Sequence, residues 1–403
     1  MNQEALFAKL PSEMRIEILS RVPVGSIMSC KCVCKSWLDL ILTDEFVSSH
    51  LSKSSSVSSP TLAITMWNET RDLGWCRFLE LDEDHLDLEK MSQVTNCNFN
   101  FKIPSYGGTF LSANGLLLVC GLSCSPSTLL CICNPATRQF IEVPYPQSIS
   151  YERHHVSYTR SISYRRHHFS YGFGASKKTG HYKVVLILLD HSLPFRRNWN
   201  KPGGVKSEHL VYTVGTGSWR SIATPPTPPF MSIISRHNEF TSHATFLNGN
   251  LHWIIDDINK ERWISCLDLE TEVFSTLCSL PGNGYRWLCA LDGFLCVSQH
   301  EKEETVIWLM MEYGVESSWT KAFVIPVICH GTVYPIKVFK DGNVLMMGAD
   351  AGILFYYSHK DKTCRIIDFI DTLQPYILGT LGTLHTSTLL SFNNSEMEPV
   401  KLL

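Results

Sequence analysis

The sequence predicts an α+β chain: a small all-α N-terminal domain, then a large all-β, propeller-like domain. Three observations predict it. Apolar residues recur at helical spacing over roughly the first fifty positions. A serine-rich stretch follows, and beyond it short runs of Val, Ile, Leu and aromatics alternate with Gly, Asn, Asp and Pro turn signals. One β unit also repeats: Gly249 and Gly293, each closing an Asn-Gly or Asp-Gly pair, lie 44 residues apart, and Gly293 and Gly342 lie 49 apart.

In the helical part, Leu10-Pro11-Ser12-Glu13 opens a first helix, with proline suited to the first turn and Glu13 near the positive end of the dipole. Met14, Ile18 and Val22 recur at helical spacing, Leu19 lies alongside, and Pro23 ends the helix. A second helical stretch runs from Val24 to Leu42, with Ile27, Cys30, Cys34, Trp37 and Ile41 as one apolar stripe, widened by Val33 and Leu40. So few residues in short helices bury too little surface to be stable alone. Either a partner covers the excess apolar surface, or the helices dock on the rest of the same chain. The Cys30-x-Cys32-x-Cys34 spacing is too tight for a tetrahedral zinc site and has no second ligand pair nearby, so no metal is expected.

From Leu10 to Ile41 the chain resembles the F-box. The matching pieces are Leu10-Pro11, Glu17-Ile18-Leu19, Arg21, Pro23-Val24, Ser26-Ile27 and Cys32-Val33-Cys34-Lys35-Ser36-Trp37. Phe46 and His50-Leu51 fit the tail that follows in plant members. Gly25, Ser29-Cys30 and Asp44 depart from the usual lysine, arginine–phenylalanine pair and proline. The resemblance implies binding to a Skp-type linker subunit and, through it, a cullin. Carried over by position, the contact residues are Leu10, Pro11, Ile16, Ile18, Leu19, Pro23, Ile27, Val33, Cys34 and Trp37, some of which pack only within the domain. Residues 1–51 are the expected F-box and 52–60 a polar linker.

The β domain is expected over 61–395. Turns at Asn114-Gly115, Asn248-Gly249, Asp292-Gly293 and Asp341-Gly342 each precede an apolar strand. Polar turns at Asn134–Thr137, Asp268–Thr271 and Tyr357–Thr363 follow a second strand, and strands such as FIEVP (Phe140–Pro144) close on proline. Four strands per period of this length point to propeller blades, with an irregular β-sandwich or barrel as the alternative. SANGLLLV, ICNPATRQFIEVP, the YGFG and GHYKVVLI pieces, HLVYTVGTGSWRSI and HATFLNGNLHWI resemble the plant F-box-associated domain; His181 stands where aspartate is usual. That resemblance implies capture of a target protein or a small ligand.

Together these imply a non-catalytic substrate-recognition subunit of a Skp–cullin–F-box ubiquitin ligase, with no catalytic residue and no cofactor. The alternatives are an F-box protein acting outside a cullin ligase and a propeller enzyme.

Composition narrows the partners. The 403 residues include 44% hydrophobic and 18% charged residues, as in an ordered globular chain. A net charge of −3 offers no basic field for nucleic acid. The cysteines number 15, several inside apolar runs such as LLCICNP, which suits a reducing compartment. The start MNQEALFAKLPSEM lacks the stretches of a signal peptide, and the longest apolar runs are too short to cross a bilayer. The expectation is a protein of the cytoplasm and/or nucleus with no membrane partner.

One tandem duplication stands apart: Ile149–Tyr158 recurs as Ile162–Tyr171, each copy carrying a His-His pair. It reads as a duplicated, exposed polar strand or loop, since neighbouring strand residues face opposite ways and suit one metal ion poorly. Trp219, Trp253, Trp287, Trp308 and Trp319 are read as core more readily than as a recognition face.

Overall fold

The computed structural model describes residues 7, 9–57, 60–68, 73–81, 95–97, 108–121, 130–146, 167–190, 206–223, 243–256, 261–282, 284–301, 304–326, 333–348, 353–367, 382–392 and 399–402. Among them, four helices precede six antiparallel sheets, five of four strands and one of five.

Helices α1 (Ser12–Leu19) and α2 (Val24–Cys30) each start directly after a proline, Pro11 and Pro23. Proline's fixed φ and missing N–H cost nothing at a helix start. Pro23 therefore opens α2 rather than ending α1, which stops at Leu19. The stretch expected as one helix over 24–42 is two. Residues 31–33 form a turn, Cys34 is extended (φ −162°, ψ 166°), and α3 (Lys35–Ile41) starts anew. Ile27 and Ile41 still share a core, but Cys34 leaves the apolar stripe and lies exposed.

Helix α4 (Asp44–Val57) continues through most of the stretch expected as a linker. The cause lies upstream of the serines. The Thr43 hydroxyl accepts the Phe46 N–H at 3.2 Å, and Phe46 and His50, one turn apart, are both buried. His50 Nε2 donates to the Val22 carbonyl at 2.9 Å, and Lys53 Nζ donates to Ser20 Oγ at 2.8 Å. These anchors hold α4 against α1 and carry the serines along.

The sheets are propeller blades. Blade 1 holds β1 (Thr61–Asn68), β2 (Leu73–Glu80) and β3 (Thr95–Cys97). Blade 2 holds β4 (Gly108–Ala113), β5 (Leu116–Gly121), β6 (Leu130–Asn134) and β7 (Gln139–Glu142). Blade 3 runs β8 (His167–Ala175), β9 (Tyr182–Asp190), β10 (Lys206–Thr213) and β11 (Trp219–Ser221). Blade 4 runs β12 (Thr245–Leu247), β13 (Asn250–Asp256), β14 (Arg262–Asp268) and β15 (Phe274–Ser279). Blade 5 has β16 (Tyr285–Leu291), β17 (Phe294–His300), β18 (Glu304–Met310) and β19 (Trp319–Pro326). Blade 6 has β20 (Val333–Val338), β21 (Val344–Gly348), β22 (Leu354–Ser358) and β23 (Thr363–Ile367).

The last two strands go back to the beginning. β24 (Gly382–His385) pairs with β1 as the innermost strand of blade 1, and β25 (Lys401–Leu402) adds an outer strand to β7. Innermost strands then touch in a closed cycle, β24–β4–β8–β12–β16–β20 and back to β24. Among the described residues the ring has six blades and is latched by β24 and β25, which excludes the irregular β-sandwich and barrel alternatives. The pairing of β25 carries the domain beyond the expected end at 395.

The repeating turns occupy equivalent places in the blades. Asn114-Gly115, Asn248-Gly249 and Asp292-Gly293 link first and second strands, with φ of 41° and 85°, 52° and 84°, and 49° and 83°. Two left-handed residues in a row make the tight turn whose twist suits a hairpin, which is why asparagine or aspartate precedes glycine here. Arg138, Glu272 and Lys362, at φ of 56°, 57° and 54°, close the turns between third and fourth strands. There a side-chain oxygen at the turn start accepts a backbone N–H: Asn134 Oδ1 from Ala136 at 3.0 Å, Asp268 Oδ1 from Glu270 at 2.7 Å.

Of the duplicated segment, 147–166 lies outside the described residues. The end of the second copy does not behave as an exposed loop: His167–Tyr171 opens β8, the inner strand of blade 3. Ser170 and Tyr171 are buried, and Ser170 Oγ accepts Trp253 Nε1–H at 3.0 Å from blade 4. Trp253 is fully buried, whereas Trp219, Trp287, Trp308 and Trp319 are half-buried. Among the described residues no helix is long and apolar enough to cross a membrane.

Candidate partner-binding surface

Helix α1 is divided by its period. Ile16 and Leu19 turn inward to a core shared with Val24, Ile27, Ile41 and Phe46. Met14 and Ile18, one turn apart, point outward at 52% and 45% exposure. Val33, in the turn after α2, and Leu42, just past α3, add 49% and 58%. Pro11, Pro23 and Cys34 are exposed as well. Large apolar side chains left in water on so small a domain mark a surface that gains from being covered, at about 25 cal/mol per Å² removed from water.

Of the ten contact residues carried over by resemblance, Pro11, Ile18, Pro23, Val33 and Cys34 lie exposed, and Leu10 and Trp37 are half-buried. Ile16, Leu19 and Ile27 sit in the helical core and shape the surface from beneath. Met14 and Leu42 stand outside the carried-over set. Met14 carried a signal, its spacing of one turn from Ile18; Leu42, the last residue of its stretch, carried none.

Glu17 lies between these outward residues and α4. It binds Arg21 at 2.5 Å, and Lys53 from α4. Lys53 first, then Arg21, hold its carboxyl down at about 2, so it stays ionised at any ordinary pH. Cys30 is half-buried and its thiol is pushed up by burial; Cys32 and Cys34 are exposed, Cys34 Sγ lying 3.2 Å from Ser36 Oγ. Among the described residues no group of three His, Cys, Asp or Glu is arranged to hold a metal ion.

The other side of the helical core rests on the propeller. Leu389, in the segment after β24, is buried within that core, and Ala136 from the blade 2 turn packs beside it. The turns between first and second strands, and between third and fourth, share one face of any blade. The helical domain therefore sits on the tight-turn face. Contacts between turns of adjacent blades define that face: Tyr182 OH donates to the Asn114 carbonyl at 2.8 Å, and Ser176 Oγ donates to Glu270.

Residues 7–49 match the F-box domain family, and residues 76–385 match the F-box associated beta propeller domain family. The chain belongs to the F-box-associated β-propeller family. Relatives in Arabidopsis thaliana include F-box protein CPR1, 26% identical over 90% of this chain and 85% of its own length. F-box protein DOR is 27% identical over 79% of this chain and 78% of its own.

The departures of this F-box are readily housed. Gly25 is exposed with nothing within 4 Å of an added Cβ, so the missing lysine leaves no gap in the core. Asp44 places a carboxylate in the first turn of α4, at the positive end of that helix. The contact between F-box and propeller leaves no pattern in the sequence. Asn134 lies in a family-like stretch but read only as a turn residue, and Leu389 belongs to no periodic pattern.

Proposed function

We propose that this F-box protein is the substrate-recognition subunit of a Skp–cullin–F-box ubiquitin ligase, working in the cytoplasm or nucleus without catalysis of its own. The observation that supports the reading best is the uncovered apolar surface of Pro11, Met14, Ile18, Val33 and Leu42, on the domain that matches the F-box family. It offers a Skp-type linker subunit a rigid, mostly aliphatic contact. The linker would join a cullin, and the propeller would hold a target protein.

The target-binding side of the propeller is the face away from the F-box. Most of the sequence between strands belongs to that face: 143–166, 191–205, 222–244 and 368–381 connect strand ends there, against 81–94 and 386–400 on the tight-turn face, which is partly occupied by the F-box. Affinity capture of the tagged chain from plant cells tests the reading. The expected result is recovery of linker and cullin together, with further proteins enriched when the proteasome is inhibited. Recovery of the linker without any cullin would replace the ligase with a role outside it.

A further inference from the structure

The segment that follows the closing strand has a second task. After β24 the chain crosses the tight-turn face of blade 2, and there Thr388 is 1% exposed and Leu389 4%. Asn134, fully buried at the end of β6, grips it: Nδ2 donates to the Thr388 carbonyl at 3.1 Å and the Leu390 carbonyl at 2.7 Å, while Oδ1 accepts the Ala136 N–H at 3.0 Å. A Cβ on Gly115 would lie 1.9 Å from Thr388 Cγ2, so only glycine in that turn lets the segment lie so close. Ser391 Oγ donates to Gln139 Oε1 at 2.8 Å, and β25 then fixes the chain to the edge of the same blade. Held on both sides, the segment projects Leu389 into the F-box core, among Ile16, Leu19, Val24, Ile27, Ile41 and Phe46.

We propose that Leu389 is a positioning residue: clamped to blade 2 by Asn134, it locks the F-box at one angle on the propeller and so fixes where a bound target stands relative to the linker. This deepens the ligase reading and rests on it. Without the Leu389 contact, the F-box and the propeller would be joined only by the one covalent connection between α4 and β1. Leu389, with Ala136 beside it, adds non-covalent attachment away from that connection and restricts the rotation that a single connection allows. A fixed orientation matters for transfer of ubiquitin, since the acceptor lysine of a held target must stay within reach of a charged enzyme carried by the far end of the scaffold.

The test uses the full chain with spin labels at exposed Asp39 and Thr320, attached through unnatural amino acids because the chain holds 15 cysteines. Distances are read by pulsed electron resonance, and linker affinity by calorimetry. Wild type should give one narrow distance distribution. Leu389→Ala should broaden it, Asn134→Ala should broaden it by freeing the segment, and Leu389→Met should keep it narrow. Linker affinity of Leu389→Ala should stay within about threefold of wild type, because the outward surface is untouched. Distributions as narrow in both alanine variants as in wild type would overturn the proposal. So would a loss of linker affinity with no broadening, which would leave Leu389 a packing residue only. A wild type that fails to bind linker would sink the ligase reading alone, the distances still deciding the coupling.

Discussion

Single residues in this chain are understood by what burial does to them. His209, His252 and His385 are buried in the propeller, and desolvation holds each imidazole down at about 4, from 6.5. His252 shows how a neutral ring is accommodated: Nδ1 faces the Thr245 carbonyl at 3.1 Å and Nε2 the Tyr313 hydroxyl at 2.7 Å, linking blades 4 and 5. The folded pKa lies below the unfolded one, so as pH falls the unfolded chain takes up protons first. The stability due to these rings is complete above 6.5 and is lost progressively down to about 4. The melting temperature should therefore fall steadily between pH 6.5 and 4.5, and less steeply in His252→Gln. A flat profile in calorimetry across that window would refute the assignment. Of such details the sequence shows only the residue types; whether a histidine is core or surface depends on which blade face it meets.

At the scale of elements, the turns were the most legible feature and the helix boundaries the least. Asn-Gly and Asp-Gly pairs announce hairpins because few other pairs tolerate two left-handed residues in succession. The serines of 52–57 read as a linker because local composition cannot register Phe46, His50 and Lys53 anchoring α4 from one side. Blades are also joined across their turns. Lys183, next to Tyr182 in the family-like Tyr-Lys pair, donates to the Leu269 carbonyl and to Glu272 at 2.7 Å, and Arg220 pairs with the same carboxylate. Burial pushes the Glu272 carboxyl up, but Arg220 and Lys183 outweigh it and hold it below the usual carboxylate range. Lys183→Met keeps the aliphatic stem and removes the charge, stranding the buried Leu269 carbonyl and leaving Glu272 paired with Arg220 alone. The expected loss is about 1–3 kcal/mol in denaturant unfolding, with linker binding unchanged. A variant as stable as wild type would show that blades 3 and 4 are held by their apolar contacts alone. Deleting Tyr151–Arg160, within the longest segment between blades 2 and 3, should change the melting temperature little, because loop length enters stability only logarithmically. A collapse in calorimetry would assign that copy a structural role.

For the whole molecule, the sequence carried the two-part plan, the repeat and the family of each part. It did not carry closure or docking, because both rest on pairings between the two ends of the chain: β24 with β1, and Leu389 with the F-box core. The F-box is thus covered on one side by its own propeller and open on the other, which reconciles the two outcomes its excess apolar surface allowed. The open side is the part of the F-box where a partner contact can be tested most directly. Ile18 is 45% exposed, so a glutamate there should leave the fold intact and place a charge in the contact. The direct measurement is calorimetric titration of the purified full chain with a purified Skp-type linker subunit, wild type against Ile18→Glu, with a melting curve for each. A linker contact at Ile18 requires a one-to-one complex for wild type and a loss of at least about tenfold in affinity for the variant, roughly 1.4 kcal/mol or more, at an unchanged melting temperature. Equal affinity in the two proteins would contradict it.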